Sequence, residues 1–253
     1  MADSSTLRIA ATGDLHYTKH SRGEQQRLLV EASHEADVLL LCGDLTDYGL
    51  AQEAEVLAED LHTYAHIPIV AVLGNHDFES GHVEEIRSII EKAGVITLDG
   101  ECVEIKGVGF AGVPGFGGGF GERMLNAWGE PIIKMFVQEA IDHALRLEQA
   151  LARLHTSQRI VLLHYSPIRA TVEGENLEIL PFLGSGRLEE PLNRFAVTAA
   201  FHGHAHNGTP AGETTAKVPV FNVAIPVLQR LNPHQPPFRI FEVKGSEKEA
   251  LPA

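Results

Sequence analysis

The segment Val-Leu-Leu-Leu-Cys-Gly-Asp-Leu-Thr-Asp, residues 38–47, indicates the architecture of this chain. Its first five residues are all apolar, which is typical of a strand buried on both faces of a sheet. The glycine that follows lets the backbone turn sharply, and polar side chains come directly after it. A largely apolar run followed by glycine and polar residues occurs again at 7–16 and at 69–77. The sequence therefore predicts three strands, each of which delivers polar groups at its carboxyl end.

The residues between these strands have the apolar spacing of helices. Two such series occur, at 54–64 and at 83–93, and Gly94 is placed to end the second. Residues 21–24, Ser-Arg-Gly-Glu, match a capping box and predict that a further helix starts there. The resulting order β-α-β-α-β predicts parallel strands joined by right-handed crossovers.

The rest of the chain predicts a second sheet. The pairs Asp99-Gly100 and Lys106-Gly107 are typical of turns in antiparallel hairpins. A long amphipathic helix is predicted over 131–154, and its apolar stripe suits either the core or a contact between subunits of a homo-oligomer. Further strands are predicted at 160–163, 197–201, 218–223 and 238–243.

The composition of the 253 residues favours a folded enzyme with a small-molecule substrate. With 44% hydrophobic residues the chain can bury a large core, so we expect a single α/β domain over 1–253, with flexible tails at 1–6 and 245–253. The net charge of −14 disfavours nucleic-acid partners, which are held by Lys and Arg. An anionic substrate then needs a local positive charge, which metal ions can supply.

The cellular location is predicted from what the sequence lacks. No apolar run approaches the ~18 residues of a membrane helix, so no membrane partner is expected. The first residues have no basic segment followed by an apolar core, as a secretory signal would. Cys42 and Cys102 are too few for a disulfide framework and are interpreted as reduced thiols. These features together favour a cytoplasmic protein.

Seven residues near the predicted strand ends have side chains that can bind metal. Ligands of open α/β sheets bind outside the carboxyl ends of the strands, so these side chains are expected to meet. Any one of them alone would be read as a turn or capping residue. The set contains carboxylate, imidazole and amide groups without a thiolate, which favours Mn, Fe or Zn, and it is too large for one ion. We therefore expect two ions that share a carboxylate, held by Asp14, His16, Asp44, Asn75, His164, His204 and His206.

The order of these groups resembles that of the calcineurin-like metallophosphoesterase superfamily. The blocks are Asp-x-His, Gly-Asp-x-x-Asp, Gly-Asn-His-Asp, a single His and Gly-His-x-His, between residues 14 and 206. Each block alone is a weak signal, and all five in order are specific. The resemblance implies a four-layer α/β/β/α sandwich with two mixed β-sheets. It also implies a dinuclear metal centre that hydrolyses phosphoesters.

The resemblance also assigns individual roles. It implies that His76 stabilises or protonates the leaving oxygen and that Asp47 orients His76. It implies attack by a hydroxide that bridges the two ions, Mn²⁺, Fe²⁺/Fe³⁺ or Zn²⁺, without a covalent enzyme intermediate. One ion would be held by Asp14, His16, Asp44 and His206, and the other by Asp44, Asn75, His164 and His204.

Two positions depart from the Ser/Thr protein phosphatase branch of that superfamily. Tyr48 stands where those enzymes carry arginine, and Asp77 stands where they carry glutamate. The pattern is more similar to the cyclic-nucleotide phosphodiesterase and glycerophosphodiesterase branch, which implies a small phosphodiester substrate. A phosphomonoesterase acting on nucleotides or other small molecules is the nearest alternative. A nuclease and a non-catalytic scaffold of the same fold are less favoured.

Four further residues are candidates for substrate contacts. The glycine-rich segment 112–121 lacks the Gly-Lys-Ser/Thr of a phosphate-binding loop and is interpreted as a loop near the mouth of the site. Its Phe116 and Phe120 are predicted to touch the substrate. Arg187 is predicted to reach the substrate phosphate, and Tyr17 to line the entrance.

Overall fold

The strands form two mixed sheets in the computed structural model, which describes residues 6–244. Strands β1 (Thr6–Thr12), β2 (Val38–Cys42), β3 (Ile69–Val72) and β4 (Val95–Thr97) are parallel neighbours in the first sheet. The second sheet contains β5 (Glu101–Ile105), β6 (Val108–Gly112), β7 (Arg159–Leu162), β8 (Ala199–His202), β9 (Ala211–Glu213) and β10 (Pro219–Asn222). Strand β11 (Arg239–Lys244) returns to the first sheet, antiparallel to β1.

The parallel strands of the second sheet are its central ones. Its spatial order is β5-β6-β7-β8-β10-β9. Neighbouring pairs from β6 to β10 are parallel, whereas β5 and β9 pair antiparallel at the two edges. Parallel central strands in both sheets bring their carboxyl ends to edges where ligands can meet.

Helices cover the outer face of each sheet. Those packed on the first sheet are α1 (Gln26–Glu35), α2 (Ala51–Tyr64) and α3 (Val83–Lys92). Those packed on the second sheet are α4 (Pro131–Ala152) and α6 (Glu189–Arg194). Two short helices complete the chain order: α5 (Leu180–Leu183) precedes α6, and α7 (Ile225–Leu231) precedes β11. The predicted four-layer α/β/β/α sandwich is therefore confirmed.

The apolar run of β2 explains the layering. Alternate residues of a strand point to opposite faces, so Leu39 and Leu41 pack under the helices while Leu40 packs between the sheets. Phe110 and Phe201 of the second sheet meet that inner face. Both faces of β2 are thus buried, and none of its five residues needs to be polar.

Two local predictions are wrong. Helix α1 begins at Gln26 rather than near Ser21, because Gly23 adopts a left-handed turn with φ +76° and donates its N–H to Asp60. The Asp99-Gly100 pair does not form a hairpin, because it connects the two sheets; the predicted hairpin at Lys106-Gly107 joins β5 and β6.

The chain ends and the helix lengths bear on two further predictions. Thr6, assigned to a flexible tail, belongs to β1, whereas 1–5 and 245–253 lie outside the described residues. No helix within residues 6–244 has both the length and the apolar character that a membrane crossing requires.

Candidate metal centre

The ligand candidates occupy loops that follow β1, β2, β3, β7 and β8, and glycines make their close approach feasible. A Cβ atom at Gly43 would collide with the His164 ring, and one at Gly74 would collide with the Asp44 carboxylate. A Cβ at Gly203 would collide with Asp14. Each of these glycines therefore belongs to the construction of the site, because any larger residue would displace a ligand.

Four of the candidate ligands have an unusual backbone conformation. The φ angles are +60° at Asp14, +46° at His16, +48° at Asp44 and +67° at His204. Left-handed conformations cost side-chain-bearing residues about 1–3 kcal/mol each and persist only where the surroundings impose them. Here the Asp14 N–H donates to the Gly43 carbonyl at 2.9 Å, which helps to impose the turn. Such concentrated strain is characteristic of functional sites.

Three imidazoles are oriented by a hydrogen bond through one ring nitrogen. His164 donates from Nδ1 to the Cys42 carbonyl at 3.0 Å, and His204 donates from Nε2 to the Phe182 carbonyl at 3.0 Å. His16 donates from Nδ1 to the Asp47 carboxylate at 3.1 Å. In a neutral imidazole the other nitrogen then carries the lone pair that binds metal. The His16 Nε2 atom is buried and has no hydrogen-bond partner within residues 6–244.

The free nitrogen of His164 faces other acceptors. Its Nε2 atom lies 2.9 Å from the Asn75 side-chain oxygen and 3.3 Å from Asp44 Oδ1. Burial lowers the pKa of His164, so the ring is neutral and Nε2 has no proton to offer. Three electron-rich atoms at this separation repel one another unless a cation lies among them. These residues therefore fit a metal ion.

The candidate ligand atoms form two main groups. One comprises Asp14, His16 and His206, and the other comprises Asp44, His164 and His204, with the atoms of each group within 4.8 Å of one another. Asp44 Oδ2 also lies 3.7 Å from His16 Nε2, so this carboxylate faces both groups. Asp44 therefore lies between the two groups of candidate ligand atoms.

The charges of the buried carboxylates also favour bound cations. Burial and the neighbouring Asp14 carboxylate raise the pKa of Asp44 to about 6. Burial also opposes ionisation of Asp14, but the hydrogen bond with His206 holds its pKa below the ordinary value. Two carboxylates this close repel each other, and metal ions relieve that repulsion.

Asp47 contacts two histidines through different groups. Its carboxylate accepts from His16, whereas its backbone carbonyl accepts from His76 Nδ1 at 2.6 Å. The Asp47 carboxylate is 4.0 Å from His76 Nδ1. Burial lowers the pKa of His76, but the Asp47 carbonyl and the carboxylates of Asp44, Asp47 and Glu79 outweigh it and raise the pKa overall. The described geometry thus gives the orientation of His76 mainly to the carbonyl, not to the predicted carboxylate.

The four predicted substrate contacts differ in their surroundings. Phe116 lines a cavity of about 230 Å³ that also borders Asn75, whereas Phe120 packs on Leu183 and Ala205. Arg187 donates to the Leu125 carbonyl at 2.9 Å, which ties it to the segment that follows the glycine-rich loop. The prediction for Tyr17 is wrong: its side chain is fully buried and its hydroxyl donates to Asp60 at 2.9 Å.

Sequence reasoning missed three residues that support the site. The buried Asp77 carboxylate accepts from Gly74 N and from Leu45 N, which links the loops that carry Asn75 and Asp44. Arg230 of α7 donates to the His206 carbonyl and so holds the last ligand loop. The ring of Tyr165 lies 4.5 Å from that of His204. Two of them had a sequence signal: Asp77 ends the Gly-Asn-His-Asp block, and Tyr165 directly follows His164.

Known proteins of similar sequence or similar fold bear on the function of this site. A model of the calcineurin-like phosphoesterase family matches residues 7–208. No curated protein sequence is significantly similar to the chain. The solved phosphopantetheinyl hydrolase of Mycobacterium tuberculosis is 13% identical, with a TM-score of 0.66, over 99% of this chain and 100% of that one.

Two further solved structures are similar. TT1561 of Thermus thermophilus is 15% identical, with a TM-score of 0.56, over 96% of this chain and 100% of that one. A Staphylococcus aureus protein assigned as a 5′-nucleotidase is 16% identical, with a TM-score of 0.52, over 86% of this chain and 48% of that one. At these identities the likeness shows the fold alone. The family match, however, extends over most of the chain and takes in every ligand candidate. The chain belongs to the calcineurin-like phosphoesterase family.

Proposed function

We propose that this protein is a phosphodiesterase that uses two transition-metal ions. Metal-dependent phosphoester hydrolysis follows from the family, and the choice of a diester is our own inference. The observation that carries the two-ion proposal is the position of Asp44, whose carboxylate faces His16 on one side and His164 on the other. When bound, the ions supply a nucleophile at neutral pH and neutralise charge on the phosphoryl oxygens.

The chain's own residues have distinct roles in this proposal. One ion is held by Asp14, His16, Asp44 and His206, and the other by Asp44, Asn75, His164 and His204. His76, whose Nδ1 is held by the Asp47 carbonyl, keeps Nε2 for the substrate. The ring then donates a proton or a hydrogen bond to the leaving oxygen. The Asp47 carboxylate orients His16.

The preference for a diester rests on charge. A monoester dianion carries one more negative charge than a diester and favours an additional cationic clamp. Tyr48 stands where the protein phosphatases carry arginine, and Arg187 already donates to the Leu125 carbonyl. A diester monoanion needs no such clamp, because the ions alone balance its charge. The similarity of the Gly-Asn-His-Asp block to the phosphodiesterase branch favours the same substrate class.

A phosphomonoesterase is the alternative, and the fold favours neither outcome. The solved structures of similar fold include proteins described as a phosphopantetheinyl hydrolase and as a 5′-nucleotidase. Arg187 is the residue that would serve a monoesterase, provided that its guanidinium leaves Leu125. The small-molecule substrate and a cytoplasmic location remain part of the proposal.

The test compares one diester with one monoester at equal metal loading. Protein reconstituted with Mn²⁺, Fe²⁺ or Zn²⁺ is assayed with bis(4-nitrophenyl) phosphate and with 4-nitrophenyl phosphate. We expect the higher kcat/KM for the diester and little effect of Arg187→Ala on it. A higher kcat/KM for the monoester that Arg187→Ala abolishes would overturn the diester proposal and identify Arg187 as the clamp.

A further inference from the structure

We propose that the cavity beside Asn75 binds an uncharged apolar group of the phosphoester, one aromatic ring or a short alkyl chain. This inference rests on the proposed function, because it names the organic arm that the hydrolase accepts. The cavity has a volume of about 230 Å³. Pockets that bind drug-sized ligands have volumes of about 300–1,000 Å³, so a single ring or a short chain is the size that fits this smaller cavity.

The cavity borders the candidate metal centre. Asn75, a candidate ligand, forms part of its wall together with Gly74. Tyr165 forms another part, and its ring lies 5.3 Å from the ring of His164 and 4.5 Å from that of His204. A phosphoester bound at these ligands therefore has one organic arm within reach of the cavity.

Phe78 and Phe116 give the rest of the wall an aromatic surface, and further rings lie behind Phe116. Phe116 contacts Tyr165 at 5.9 Å and Phe136 at 4.9 Å between ring centroids. Phe136 in turn contacts Phe182, which is 56% exposed, so the rings extend from the ligand His204 to the surface. Phe78 lines the cavity and is 44% exposed. Surfaces of this kind gain free energy by covering apolar area.

The polar groups of the cavity disfavour a charged arm. His143 is buried and accepts the Gly115 N–H at Nδ1, at 3.2 Å, so its ring is neutral. Glu139 is the acidic residue of the wall, and it already contacts His143 at 3.1 Å and Arg146 at 3.9 Å. Of the described residues that line the cavity, none is Lys or Arg. An anionic arm would therefore meet the Glu139 carboxylate and no cation among the described lining residues.

The experiment measures binding rather than turnover. Methylphosphonate, butylphosphonate, benzylphosphonate and 4-carboxybenzylphosphonate share one head group and differ in the arm. Their Kd values for the metal-loaded protein are measured by calorimetry. We expect butylphosphonate and benzylphosphonate to bind at least about 10-fold more tightly than methylphosphonate. The carboxylate of 4-carboxybenzylphosphonate should remove most of the gain in affinity that the benzyl ring provides. Contacts between the benzyl ring and Phe116 should appear as intermolecular NOEs.

Variants then assign the effect to the cavity. Phe116→Ala should reduce the ratio of the benzylphosphonate affinity to the methylphosphonate affinity at least about five-fold. The Kd of methylphosphonate itself should stay nearly unchanged. Phe78→Ala, at an exposed position that does not threaten folding, should reduce the ratio as well. Phe238→Ala is the matched control, because Phe238 is partly buried on the outer face of the first sheet.

The outcomes separate the two proposals. Three results would overturn the proposed arm site and leave the hydrolase proposal standing. They are equal Kd values for methylphosphonate and benzylphosphonate, tighter binding of 4-carboxybenzylphosphonate than of benzylphosphonate, and a ratio of the methyl and benzyl Kd values that neither cavity variant changes. Failure of all four phosphonates to bind, together with no metal-dependent hydrolysis, would overturn both.

Discussion

The carboxylate of Asp47 lies 3.1 Å from Nδ1 of His16, and this contact makes Asp47 a positioning residue for a candidate metal ligand. A carboxylate on the outer nitrogen of a ligating histidine fixes the ring and strengthens the inner nitrogen as a ligand. His76, the proposed general acid, depends instead on the backbone carbonyl of Asp47, which a side-chain substitution leaves in place. The two histidines can therefore be separated by mutation.

The first prediction concerns Asp47→Ala. The substitution removes the partner of His16 Nδ1, so metal affinity should fall ~10–100-fold. Asp47→Asn, which keeps an acceptor oxygen without the charge, should have a smaller effect. Competition with a chelator of known affinity measures both. An unchanged affinity combined with a rate loss as large as that of His76→Ala would return Asp47 to the role of orienting His76.

The second prediction concerns His76→Ala. Metal content should stay nearly intact while kcat falls by ~10²–10⁴, the range for a lost proton-transfer group. The loss should be larger for alkyl esters than for 4-nitrophenyl esters, because a poor leaving group needs the proton more. Steady-state kinetics on metal-loaded protein give the comparison. Equal losses on both classes would leave His76 with charge stabilisation only.

The third prediction compares two candidate ligands that contact different numbers of ligand groups. Asp44 faces both groups of ligand atoms, whereas Asn75 faces His164 only. Asp44→Ala should therefore lower the content of both ions, and Asn75→Ala that of one. Elemental analysis after gel filtration, with anomalous scattering to locate the ions, checks this. Loss of a single ion from Asp44→Ala would contradict the bridging role.

The fourth prediction isolates a steric effect from a backbone effect. Gly43 and Gly81 both have positive φ, +82° and +76°, so Ala costs about 1–2 kcal/mol of backbone strain at each. Only at Gly43 would the new Cβ collide with a ligand, His164; at Gly81 no described atom lies within 4 Å. Gly43→Ala should lose metal binding, and Gly81→Ala should retain it. Equal metal contents in the two folded variants would show that His164 adapts.

The fifth prediction concerns pH and His143. Burial, helped by the Arg146 guanidinium, lowers the pKa of His143 to about 3 in the folded protein, against about 6.5 when unfolded. Below pH 6.5 the unfolded chain therefore binds a proton that the folded chain does not, so stability falls as the pH falls. The free energy of unfolding should drop by about 2 kcal/mol from this residue between pH 7 and 5.

The control for this effect is His143→Gln, which keeps an acceptor for the Gly115 N–H but does not titrate. Urea unfolding of both proteins at pH 5, 6 and 7 gives the free energy of unfolding as a function of pH, and the two slopes are then compared. Identical pH dependence in the two proteins would mean that His143 titrates alike in the folded and unfolded states.

The positions of the ligand candidates were predictable from sequence because they depend on short-range rules. An apolar run such as that of β2 forms a buried strand, its carboxyl end lies at a defined edge, and glycine permits the turn that follows. Asp14 and Asp44 therefore meet wherever the parallel strands of the first sheet pair in this order, and His164 joins them only through the stacking of the two sheets. The four-layer sandwich, by contrast, was inferred from the resemblance of the motifs to a family, because periodicity does not specify how two sheets stack.

The partner of each polar group was decided by tertiary structure. Tyr17 directly follows His16, yet the chain turns at His16, where φ is +46°, and the Tyr17 side chain enters the core instead of the site. Asp47 is 31 residues from His16 and 29 from His76, and which group each histidine meets depends on distances of about an ångström. Hydrogen bonds weaken over such distances, and loop packing sets them. Sequence alone thus predicted where the ligand candidates lie, and only the folded chain decided which group each side chain contacts.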